Sequence, residues 1–126
     1  MDEQQYQDET VTETGAAEFI ALLLMEESAI DSYIALLGQR RVSCPFSWFH
    51  CCGRELQRAL CFYASISEAM IAIREAFSNG TPRARAYIQR VLYPQFKRSL
   101  AMAWDAALWD FDANTLVQDL LAESPE

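Results

Sequence analysis

A single histidine, His50, serves all 126 residues. That scarcity excludes the paired Glu-x-x-His motifs of a di-iron helical bundle. It also leaves most acid–base sites without their commonest proton carrier. Four glycines are too few for a chain of many short strands and tight turns. No glycine-rich phosphate loop is present either, since Gly80 stands alone at a helix break.

Basic residues are the scarcer charge, 10 Lys and Arg against 18 Asp and Glu, for a formal net charge of −8. A nucleic-acid groove needs clustered cations to displace counterions from phosphates. Anionic lipid attracts the same clusters, so neither partner is expected. Long apolar runs are missing too: the longest, residues 19–25, falls far short of the roughly 20 residues that cross a bilayer. Residues 1–14 are polar and acidic, unlike a secretory signal, and the last five residues do not read as a tail anchor. A chain without such a signal stays in a reducing compartment, where its cysteines remain free thiols. The expectation is a cytoplasmic protein with no membrane anchor.

What is present is apolar content, 52% of the residues, ample for the core of one domain. Residues 1–14 read as a disordered acidic leader with little to bury, 15–122 as a single helical domain, and 123–126 as a tail. Across 15–37, Phe19, Leu22, Leu23, Ile30, Tyr33, Ile34 and Leu37 recur at helical spacing, with Glu26, Glu27 and Asp31 on a polar face. Gly38 suits a helix stop, and Pro45 marks 39–49 as a connection. The clearest helix spans about 52–78, where Leu56, Leu60, Tyr63, Ile66, Met70, Ile73 and Phe77 follow at steps of three and four. Asn79-Gly80 breaks it, glycine tolerating the left-handed backbone that ends helices. Thr81 then caps a new helix with Pro82 at its first position, continuing through Tyr87, Ile88, Val91 and Leu92. Pro94 is expected to kink or end that helix. Phe96, Leu100, Ala103, Trp104, Ala107 and Leu108 form the next stripe, and Asp112 caps a short last helix through Leu121. No segment alternates with period two. The fold class is all-α, a compact bundle of five to seven helices.

Catalytic parts are scarce. Cys44, His50, Cys51 and Cys52 are the only clustered metal-type ligands, but three are consecutive and adjacent side chains do not readily converge on one tetrahedral ion. They read better as small apolar residues, so no metal or cofactor is called for. The acidic pairs Glu26/Glu27 and Asp110/Asp112 are spaced as solvated faces or caps. The chain therefore reads as a binder, not an enzyme. One region carries unusual charge: residues 83–97 hold four basic residues and no acidic one. Arg83 and Arg85 open a helix, where cations oppose the helix dipole. An anionic partner is one reading of them, and ordinary solvated arginines the other.

The stretch Phe77-Ser-Asn-Gly-Thr-Pro-Arg-Ala-Arg85 resembles the first homology motif of the Bcl-2 family of apoptosis regulators, Phe-x-Asp-Gly-x-Asn-Trp-Gly-Arg. Phe77, Asn79 and Gly80 fall on its Phe, Asp and Gly, and Ala84 and Arg85 on its closing Gly and Arg. Pro82 and Arg83 replace its Asn and Trp. Upstream, residues 56–63 are similar to the family's BH3 segment, with Leu60 and Cys61 where Gly and Asp stand, which suits a groove wall better than a ligand. Residues 109–117 are faintly similar to the second homology motif. The resemblance implies a diverged, anchorless inhibitor of the viral kind, acting in the host cytoplasm. It would sequester BH3-type helices of pro-apoptotic proteins in a hydrophobic groove. Arg85 would pair with the ligand's aspartate, and Ala84 would permit close helix approach. The implied groove takes Tyr63, Met70, Ile73 and Phe77 from one helix and Ala84, Tyr87 and Ile88 from the next, with Asn79 and Gly80 at the turn. Each of these also reads as plain core. A homodimer is left open. The competing reading is a helical scaffold or adaptor that self-associates through an apolar face without a peptide groove, supported by fifteen aromatic residues, Trp104 and Trp109 among them.

Overall fold

The structure, a computed structural model, describes the backbone of residues 12–43 and 46–125, and side chains for 12–39 and 56–125. Helix α1 (Glu13–Ser43) starts where the Thr12 hydroxyl accepts the Gly15 N–H at 3.0 Å, a side-chain cap for a donor with no partner inside the helix. α1 does not stop at Gly38. No atom lies within 4 Å of a Cβ built there, and a mid-helix glycine costs only about 1 kcal/mol, less than the packing of α1 on its neighbour returns. Helix α2 (Phe46–Ser78) begins earlier than expected, so much of the supposed connection over 39–49 is helical. Pro45 lies outside the described residues.

Helix α3 (Pro82–Tyr87) opens as its sequence suggests: Thr81 Oγ1 accepts the Ala84 N–H at 3.2 Å, and Pro82 occupies the first turn. Gly80 is not in the left-handed region, contrary to the reading that placed it there. Its role is room. A Cβ on Gly80 would lie 2.8 Å from the Ala76 carbonyl oxygen and 3.3 Å from Ala84 Cβ.

Pro94 does not end the helix. α3 passes into a π-helical turn (Ile88–Leu92) and then into α4 (Tyr93–Asp105), one continuous rod. A proline inside an α-helix clashes with the carbonyl four residues back and cannot donate to it. Here the ladder is already widened: the Tyr93 N–H reaches back five residues to the Ile88 carbonyl, and Pro94 falls in the first turn after the π segment. α4 ends earlier than its stripe suggested, because Ala107 and Leu108 lie in a turn beyond it. There Ala107 adopts φ 54°, the Leu108 N–H bonds to Ala103 O at 2.8 Å and the Ala107 N–H to Trp104 O at 3.1 Å, the pattern that closes a helix C-terminus. Helix α5 (Ala113–Ala122) is capped by Asp112, which accepts from Asn114 N at 3.0 Å and Thr115 N at 3.1 Å.

Among the described residues the chain is all-helical, with three rods (α1, α3–α4 and α5) arranged around α2. α1 runs antiparallel to α2: Phe19 meets Phe77 at 4.7 Å between ring centres, Glu27 meets Arg74, Asp31 meets Ser67, and Tyr33 meets Tyr63. α4 lies beside α1, with Tyr93 against Phe19 and Glu26. α5 takes another side of α2, where Ser65 accepts the Ala113 N–H and Glu68 accepts from Asn114. Covered on several sides, α2 buries more than its predicted stripe. Phe62 and Ala69 join Ile66, Met70, Ile73 and Phe77 in the core, whereas Leu56, Leu60 and Tyr63 are half-buried. Leu23, Ile88, Leu92, Phe96 and Val117 complete the dry centre. Each such large side chain contributes roughly 1.5–3 kcal/mol on leaving water.

Candidate functional site

The junction of α2 and α3 carries most of the residues singled out from the sequence. Met70, Ile73, Phe77 and Ile88 are each at most 1% exposed. They are core, and α1 lays Phe19 directly on Phe77. Gly80, Ala84 and Tyr87 are half-buried and Asn79 is exposed. Tyr63 stands apart, 14 residues before Phe77 on α2, roughly 21 Å at the helical rise.

Arg85 has a defined structural job. Its Nε donates to the Phe77 carbonyl at 2.9 Å and its Nη2 to the Ser78 carbonyl at 3.0 Å. The guanidinium also lies 5.5 Å from the centre of the Phe77 ring. The last carbonyls of a helix lack intrahelical donors, so one side chain from α3 closes α2 and fastens the two helices together. A cation at that C-terminus is favoured by the dipole of α2, which offsets its less favourable place in the first turn of α3. Neither an anionic partner nor plain solvation is needed to account for Arg85. Tyr87 has a similar role: its hydroxyl donates to Leu120 O at 2.8 Å and ties the rod to α5, with its pKa raised by burial and then by Glu123.

Polar contacts between α1 and its neighbours are few and well partnered. Glu27 is 8% exposed and receives both Nε and Nη2 of Arg74, at 2.7 and 3.2 Å. This two-pronged bond and the charge of Glu27 raise the arginine pKa. Glu26 accepts from the Tyr93 hydroxyl at 2.5 Å and from Lys97 Nζ at 3.3 Å. Burial, then the bond to Glu26, pushes the Tyr93 hydroxyl above the ordinary tyrosine range.

The opposite end of the bundle is an aromatic edge that the sequence hinted at only through its wealth of rings. Tyr33 and Tyr63 lie 4.7 Å apart, Tyr63 and Trp104 6.2 Å, and Trp104 meets Trp109 edge-on at 5.2 Å. Tyr33 and Trp104 remain 45% and 50% exposed. Burial, with Tyr33 beside it, pushes the Tyr63 hydroxyl up to about 12. These residues come from three helices and the turn after α4, so no spacing in the sequence reveals their meeting. Nearby, Arg58, Cys61, Ser65, Trp109 and Phe111 line an open hollow of about 270 Å³, slightly under the ~300 Å³ where small-molecule sites begin. Cys61 is a free, exposed thiol.

Cys44, His50, Cys51 and Cys52 fall outside the described side chains. Among the described residues no group of three His, Cys, Asp or Glu is placed to hold a metal, and no helix is long and apolar enough to cross a membrane. What the geometry defines is an all-α bundle built around one central helix. Comparison of the chain with protein-family models, curated proteins and solved structures finds no match.

Proposed function

We propose that this chain is a binder of protein helices in the Bcl-2-like manner, sequestering BH3-type helices of pro-apoptotic proteins, and that it catalyses nothing. The observation that carries this reading is the turn at residues 77–85. Gly80 has no room for a Cβ, and Ala84 packs 3.3 Å from where one would be. The small residues of the motif thus let α2 and α3 approach closely within the chain, and by the resemblance Ala84 would also admit a ligand helix. The rod that follows also runs past Pro94 to Asp105, giving the motif a long helix to lead into. In such recognition an amphipathic helix lays apolar side chains, spaced every three or four residues, along an apolar surface, and burial supplies most of the affinity. With Met70, Ile73, Phe77 and Ile88 sealed in the core, the receiving surface is assigned to apolar groups still open to solvent beside α4, Tyr63 and Trp104 foremost. The compartment this reading implies is the host cytoplasm.

Titration of the whole chain with a panel of BH3 peptides by calorimetry is the test. At least one peptide is expected to bind with submicromolar affinity, one helix per chain, and a panel without a binder sinks the reading. Arg85→Glu adds a second readout. If Arg85 meets the ligand's aspartate, affinity falls by about 2 kcal/mol or more. If it serves only as the cap of α2, the melting temperature falls and the affinity of the folded protein stays.

A second reading, an adaptor that self-associates through an apolar face, draws on a different observation. The large apolar side chains left most exposed include Met25 and Leu36 of α1, at 71% and 61%.

A further inference from the structure

The outer face of α1 bears a line of apolar residues largely open to solvent, with Tyr33 also packed against Tyr63 of α2. Leu22, Met25, Tyr33 and Leu36 are 42%, 71%, 45% and 61% exposed, and Ala29 between them is exposed as well. Their positions advance by three, four, four and three residues, which keeps them on one side of a helix of 3.6 residues per turn. No charged residue falls within the line. The core-facing residues Phe19, Leu23, Glu27 and Leu37 occupy the other side, so α1 is apolar on two faces, and among the described residues the outer one is mostly exposed.

The line is symmetric about Ala29. Leu22 and Leu36 stand seven residues to either side, and Met25 and Tyr33 stand four to either side. The smallest side chain falls at the centre, where crossing helices approach most closely. Charge follows the same symmetry: Glu18 and Arg40 each lie eleven residues from Ala29, and Glu18 is exposed. A two-fold axis requires that if residue i meets residue j, then j meets i. This helix face meets that condition in size and in charge.

We propose that two copies of this chain pair antiparallel through α1, crossing at Ala29. Leu22 of each copy packs on Leu36 of the other, and Met25 on Tyr33, a sulfur–aromatic contact. Glu18 of each copy then stands opposite Arg40 of the other. The inference rests on the second reading above, to which it gives a surface and a partner; it needs no part of the BH3 reading.

Sedimentation equilibrium of the whole chain at micromolar concentration tests it. The expected mass is twice the 14.4 kDa of one chain. Ala29→Glu sets two carboxylates face to face on the axis and should weaken pairing about tenfold or more. Met25→Lys should weaken it in the same sense, and Ser28→Glu, off the line, should leave the dimer intact. Glu18→Arg should weaken pairing, and the double variant Glu18→Arg with Arg40→Glu should restore it. Glu18, Met25, Ser28 and Ala29 are exposed, and circular dichroism confirms that each variant is folded. A wild-type chain that stays monomeric overturns the proposal and the second reading together. A dimer indifferent to both Ala29→Glu and Met25→Lys overturns this face while leaving self-association through another.

Discussion

The rod from Pro82 to Asp105 is bracketed by two turns built in opposite ways. Before it, Gly80 keeps a backbone that any residue can adopt, but has no space for a side chain. After it, Ala107 has its side chain yet takes φ 54°, the left-handed region where glycine is at ease. The surroundings differ in the same direction. The Gly80 turn closes on dry core, with Phe77 and Ile73 fully buried and Arg85 bonded to the carbonyls of Phe77 and Ser78. The Ala107 turn follows Trp104, half open to water. Crowding therefore decides the first turn, and two backbone hydrogen bonds sustain the second against its own conformational cost. A glycine in a sequence signals a need for either space or φ, and only neighbours tell which.

The sharpest way to break this contrast is truncation at each end. Phe77→Ala should cost about 3–5 kcal/mol, as large buried rings do, whereas Trp104→Ala at the open edge should cost about 1 kcal/mol or less. Urea unfolding of both variants compares them directly, and equal losses would erase the distinction between a dry and an open end. Next, Gly80→Ala should cost about 1–3 kcal/mol, because the clashing atom is a backbone carbonyl that cannot swing aside. A melting temperature unchanged from wild type would show that the turn has slack. Ala107→Gly should act in the opposite sense, stabilising by about 1 kcal/mol through relief of the left-handed penalty, less the added freedom of the unfolded chain.

A smaller effect compares the ends through pH. The Tyr63 hydroxyl is pushed from 10.0 to about 12 in the folded chain. Above pH 10 the unfolded chain releases this proton and the folded chain keeps it, so stability falls as pH rises. The contribution is whole below pH 10 and is lost as pH climbs through about 12. Tyr93, half-buried and bonded to Glu26 at the dry end, is shifted in the same direction. Unfolding measured at mildly and strongly alkaline pH should show a shallower loss for Tyr63→Phe and for Tyr93→Phe. An alkaline loss the same in both variants as in wild type would remove these hydroxyls as its source.

Much of the local punctuation was legible. Thr81 and Asp112 announce helix starts because their side-chain oxygens sit where free N–H groups need acceptors, whatever the rest of the chain does. The period of α2 was legible for the same reason: one helix and one repeat. Gly38 does not stop its helix and Pro94 does not end its own, because each is a helix breaker only when nothing compensates. Packing on α2 carries the chain through Gly38, and a π turn makes room for Pro94. The candidate groove was legible as a set of apolar residues, but not as core, because the helix that covers Phe77 lies about sixty residues upstream.

What the amino-acid sequence determined by itself is the all-helical class, the caps, and the apolar faces of each helix, since these depend on residues within a turn or two of one another. Only the tertiary structure decided which apolar face is buried. It set Arg85 on the carbonyls of Phe77 and Ser78, gathered Tyr33, Tyr63 and Trp104 at one edge, and left Leu22, Met25 and Leu36 of α1 exposed. Those outcomes depend on residues far apart in the chain meeting across helices, and burial is a property of the assembled bundle, not of any one segment's pattern.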